Sequence, residues 1–144
     1  MSKKENTPDL IYTAVEKIAI SPADAIAVVD GYKKQILNHN PNISKNEMQK
    51  MISQKVIDRY SKISATSGGI TSLAGVIPGV GTAAAMLGGG SVDVAVSMKL
   101  QVDMVMCIAA AYDYDLNNED TKHMSFLIAG LGALEQTGTT QASI

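Results

Sequence analysis

A chain of 144 residues, 46% apolar and 18% charged, is long enough to bury a core as one domain and too apolar for a disordered segment. Twelve basic against fourteen acidic residues leave a net charge of −2, and the single cysteine, Cys107, excludes an internal disulfide and fits a reducing compartment. Residues 1–62 hold ten Lys/Arg against seven acids (+3) and residues 63–144 two against seven (−5), so neither half has the basic density of a nucleic-acid binder.

Thr7-Pro8-Asp9 opens a first helix with a hydroxyl, a proline and an acid at the positive end of the dipole. Ile11, Ala14, Val15 and Ile18 give it one apolar stripe. The early acids Glu5, Asp9 and Glu16 interrupt any apolar run of signal-peptide type, so cytoplasmic residence is expected. Ser21-Pro22-Ala23-Asp24 repeats the start signal, and Ile26, Val29, Tyr32 and Ile36 predict the buried stripe of a second helix that stops at Asn40-Pro41. Ser44 and Glu47 form a capping box for a third helix, whose stripe is Met48, Ile52, Val56, Tyr60 and Ile63.

From Ile63 to Val92 there is no charged residue, and eight of the twelve glycines fall here. Thirty residues without an ionic group predict a segment shielded from water by protein or by lipid. Pro78-Gly79 is a type II turn pair, so two short arms, 70–77 and 82–87, are expected to form an apolar hairpin closed by Gly88-Gly89-Gly90. A spanning helix needs about 20 apolar residues, and this run is broken by Pro78 and diluted by seven Ser/Thr, so a buried hairpin or reversible insertion is expected instead. Ile70, Leu73, Val76, Ile77, Pro78, Val80, Met86 and Leu87 are the candidate membrane or partner contacts.

Ser91 is placed to cap a helix over 92–112 that is apolar almost all round, the pattern of a helix buried on most sides. Asp93, Lys99, Gln101 and Asp103 are its polar positions, a candidate cluster in which Lys99 and Asp103 have the spacing of an ion pair. Asp93 and Asp103, ten residues apart, stand about 80° apart around the helix and about 15 Å along it, too far to share a substrate atom. An acidic turn, 113–118, precedes a last helix from Glu119, with Met124, Leu127, Leu131 and Leu134 as its apolar stripe and a patternless tail after residue 135.

Chemical signatures are sparse. Gly79-Val80-Gly81-Thr82-Ala83-Ala84 matches a loose dinucleotide-binding pattern with Asp103 downstream, but a proline precedes the glycines and Asp103 lies in a helical pattern, where that mechanism needs strands. A phosphate loop is excluded because no Lys-Ser/Thr follows. Cys107 has no basic neighbour in sequence and reads as an inert thiol. His39 and His123 belong to no metal-ligand spacing. No catalytic residue, cofactor or metal is expected.

The uncharged Gly/Pro hairpin, the Asp opening an apolar helix that carries a Gln, and the run Ile108-Ala-Ala-Ala-Tyr-Asp-Tyr-Asp-Leu116 together resemble the EcsC family of bacterial proteins over about residues 45–135. That family's stretch reads IA-x-x-YG-x-D-L, and this chain has Asp113 in place of the glycine. The resemblance implies an α-helical accessory protein associated with a membrane, with no catalytic residues to carry over; family members are typically longer.

The expected architecture is therefore all-α. It is one domain over 1–144: charged amphipathic helices over 1–62, a glycine-rich hairpin over 63–92, apolar helices over 93–135 and a tail over 136–144, with about five helices packed around the hairpin. Expected partners are a membrane surface or membrane protein at the inner face, with no nucleic acid. The competing expectation is an adaptor or immunity-type interaction module, or a homo-oligomer, joined through the apolar C-terminal helices.

Overall fold

The computed structural model describes the backbone of residues 7–65, 79–88 and 91–142, and the side chains of residues 10–63, 79–88 and 91–130. The described residues form six helices and no strand: α1 Thr7–Ile18, α2 Pro22–His39, α3 Lys45–Ala65, α4 Val80–Leu87, α5 Val92–Ala111 and α6 Glu119–Ala142. The all-α class is as expected. Ile70, Leu73, Val76, Ile77 and Pro78 lie outside the described residues.

Local chemistry sets most boundaries. Ser21 caps α2, its hydroxyl accepting the Asp24 N–H at 3.1 Å with Pro22 in the first turn. The Asn40 N–H closes the other end on the Ile36 carbonyl before Pro41. Ser44 accepts the Glu47 N–H at 3.2 Å, the hydroxyl arm of the expected box. Ser91 stands at the start of α5 without a side-chain capping bond, so its hydroxyl does not do what the sequence suggested. Gly79 has φ 93° and ψ −6°, the third-position geometry of a type II turn, and Gly88 ends α4 at φ 66°.

Helix α5 is the hub, packed against each of the other five. Val92, Ala95, Val96, Leu100, Val102, Met106, Cys107 and Ala111 are buried along it, and the larger of these contribute about 1.5–3 kcal/mol each. Around it lie Ala14, Val15 and Ile18 of α1, Ala25, Val29 and Ile36 of α2, Ile52, Val56 and Tyr60 of α3, and Val80 and Ala83 of α4. By length and composition α5 is also the one described helix able to cross a membrane, yet half of its most apolar 18-residue window is buried inside the fold.

Two predicted stripes need correction. On α2 the buried position is Ala25, and Ile26 is 46% exposed; the smaller side chain lets α2 approach α5 closely. On α6 Met124 and Leu127 are exposed while Ser125 and Ala129 are buried. The small residues lie on the side of α6 packed against α5, and the Ser125 hydroxyl is satisfied by the Thr121 carbonyl at 2.9 Å. Helix α6 also runs on to Ala142, through most of the expected tail, since no proline stops it and an α-helix propagates one bond per residue.

Candidate functional site

The four polar positions of α5 do not converge. Asp93 is exposed near the start of the helix, and Gln101 is half-buried. Lys99 and Asp103, 3% and 4% exposed, form an ion pair one helical turn apart in the core. The second Asp103 oxygen, Oδ1, accepts the backbone N–H of Ile20 at 2.7 Å. Ile20 lies between α1 and α2, just before the Ser21 cap, so the carboxylate also feels the positive end of the α2 dipole. One side chain thus joins the α1–α2 junction to the central helix. The Lys99–Asp103 spacing was visible in the sequence; the Ile20 partner, 83 residues away, had no local signal.

Burial pushes the Asp103 carboxyl above the usual carboxylate range, opposed by Lys99 and by the Ile20 N–H. Both of its oxygens are engaged by groups of the fold itself, Oδ1 by the Ile20 N–H and Oδ2 by Lys99. One turn further, Cys107 is fully buried with its Sγ 3.8 Å from the Tyr60 hydroxyl, and burial pushes the thiol up to about 11. Burial likewise raises the Tyr60 phenol. A protonated, enclosed thiol is a packing residue and not a nucleophile. The lower face of α5 is therefore a buried polar column, Lys99–Asp103 followed by Cys107–Tyr60, that holds the helices in register.

Of the other predicted contacts, Val80 is buried against the core, whereas Met86 and Leu87 are half-buried on α4. Gly79 sits so close to α1 that an added Cβ would lie 2.6 Å from the Ile18 Cβ. The start of α4 is thus tied to α1 rather than standing away from the fold. His39 and His123 are exposed, each with Nδ1 near the carbonyl four residues back. Among the described residues no three His, Cys, Asp or Glu side chains gather as they would around a metal ion.

The surface offers more than the interior. Exposed apolar side chains include Ile26, Leu37, Met51 and Ile57 on α2 and α3 among lysines, Met124, Leu127 and Ile128 on α6, Tyr112 and Tyr114 at the acidic turn, Val94 on α5 and Tyr12 on α1. Met124 and Leu127 belong to the apolar stripe expected on this helix, and Ile128 does not. In that turn Asp113 adopts φ 64°, and the Tyr114 and Asp113 N–H groups close on the Ala109 and Ala110 carbonyls, a Schellman ending built without glycine. Tyr12 and Phe126, ring centroids 4.8 Å apart, brace α1 against α6. Comparison of the chain with protein-family models, with characterised proteins and with solved structures finds no match.

Proposed function

We propose that this chain is an EcsC-like, non-enzymatic accessory protein of the cytoplasmic face of a membrane, acting through lipid or a membrane-protein partner, with its helices organised around a glycine-rich apolar hairpin over 63–92. The observation that carries the reading is the mixture of basic and apolar side chains on the outer faces of α2 and α3. Ile26, Lys33 and Leu37 fall within about 40° of one another on α2, and Ile57 follows Lys50 two turns along α3; all five are exposed. Such a face lowers its apolar side chains into the headgroup layer while the ammonium groups meet anionic phosphate. For the hairpin, support comes from the type II geometry of Gly79 and from the packing of α4 on α1 and α5.

Flotation with anionic vesicles at low salt tests the lipid version. The protein is expected to rise with the vesicles and to be released by high salt. Replacing Lys33, Lys34 and Lys50 with Gln should cut the partition coefficient by about 100-fold, at about 1 kcal/mol for each lysine. Failure to float with anionic vesicles at low salt overturns it. A second reading, an adaptor that grips a protein partner through its C-terminal helices, is favoured by one observation: Met124, Leu127 and Ile128 are 58%, 61% and 46% exposed on α6.

A further inference from the structure

We infer that the hollow between α1, α5 and the start of α6 binds a small zwitterion, an ammonium compound that also carries an anionic group. The inference goes beyond both readings above, since this hollow holds none of the side chains on which they stand. Helices α1 and α6 both pack on α5 and are bridged by the Tyr12 and Phe126 rings; the space left beside those rings is the hollow, about 440 Å³. Val102 and Met106 of α5, both buried, form its floor with Ile20. Ligand sites run from about 300 to 1,000 Å³, so this one suits a molecule the size of phosphocholine.

Two carboxylates from distant parts of the chain meet here. Glu16, one turn after Tyr12 on α1, and Glu119, the first residue of α6, both line the hollow. Both act on the Tyr12 hydroxyl: burial, and then the Glu16 and Glu119 charges, hold the phenol above its ordinary value. Neither carboxylate forms an ion pair with a described residue. Tyr12 is 39% exposed, so an aromatic ring in a negative field is open to a ligand. Ring and carboxylates together favour an ammonium group, which the ring quadrupole attracts and the two charges hold.

The opposite sign is present as well. Lys17, Lys122 and His123 line the same hollow, and the chain runs on from Lys17 to Ser21 and Pro22, where the positive end of the α2 dipole opens. A simple cation would meet repulsion from the lysines, and a simple anion would meet it from Glu16 and Glu119. A molecule carrying both signs answers both sets of charges.

Phosphocholine is the probe, beside choline as the cation alone and inorganic phosphate as the anion alone, each followed in amide NMR spectra of the isotope-labelled protein. Phosphocholine should shift resonances around Tyr12, Ile20 and Lys122 and bind at least about tenfold more tightly than either part. The pair Glu16→Gln, Glu119→Gln should weaken it by about tenfold, and the pair Lys17→Gln, Lys122→Gln should reduce it to the affinity of choline. Tyr12→Leu should cost about fivefold, while Tyr12→Phe, which keeps the ring, should bind as the wild type does. Unchanged circular dichroism and melting are required of each variant. Flotation with phosphatidylcholine vesicles that is lost in Tyr12→Leu assigns a lipid headgroup as the source; a response to free phosphocholine without flotation assigns a soluble ligand.

Choline or phosphate binding as tightly as phosphocholine overturns the inference. So do shifts that fall away from this hollow, or an affinity indifferent to Tyr12→Leu and to the paired Glu variants. No response to phosphocholine overturns it outright.

Discussion

The Lys99→Met variant should lose about 3–4 kcal/mol of stability, because it leaves the Asp103 carboxylate in the core with the Ile20 N–H as its partner at 2.7 Å. Two limits set the figure. Breaking a buried pair by removing one member costs about 3–5 kcal/mol. The carboxylate has an escape: it can take up a proton, which at pH 7 costs about 4 kcal/mol for a carboxyl of ordinary pKa and less for one that burial has already raised. Against a total of about 5–15 kcal/mol for a domain, such a loss is large. Urea unfolding followed by far-ultraviolet circular dichroism measures it directly. The double variant Lys99→Met, Asp103→Leu removes both charges and exposes the Ile20 N–H to a cost of about 1–3 kcal/mol, offset by the desolvation no longer required. It should therefore be clearly more stable than Lys99→Met. A Lys99→Met loss below about 1 kcal/mol, or a double variant no better than the single, would refute the claim that this pair is shut off from water.

The same carboxyl predicts a pH dependence. Its folded-state value is raised above the ordinary 3.8, so the folded protein holds the proton more tightly than the unfolded chain. The contribution of Asp103 is thus fully present below 3.8 and is lost as pH rises through the folded value; the stability of the wild type relative to Asp103→Asn should fall over that window in paired urea titrations. Gly79→Ala should cost about 2–4 kcal/mol, combining a left-handed backbone with a Cβ placed 2.6 Å from the Ile18 Cβ; Ile18→Ala keeps that Cβ and removes only the Cγ2 at 2.7 Å, so thermal melts of the double variant should show most of the Gly79→Ala loss still present. Asp113→Gly should stabilise by about 0.5–1 kcal/mol, since glycine adopts the 64° φ freely and the lost Lys45 pair is solvent-exposed; a lower melting temperature would contradict it.

What was legible in the sequence is what depends on near neighbours. Ser21-Pro22, Asn40-Pro41 and Gly88 mark helix ends because capping and breaking act over three or four residues, and α2 and α4 end where those signals say. The apolar circumference of α5 announced a helix buried on most sides, and the four-residue spacing of Lys99 and Asp103 announced their pairing. Burial direction on α2 and α6 depended on the neighbours instead. Ile26 and Met124 lost their expected places to Ala25 and Ser125, because close approach to α5 rewards small side chains over large ones. No local pattern encodes that choice; it is made where two helices meet. The Ile20–Asp103 bond likewise joins parts of the chain 83 residues apart, and only the tertiary structure decided it.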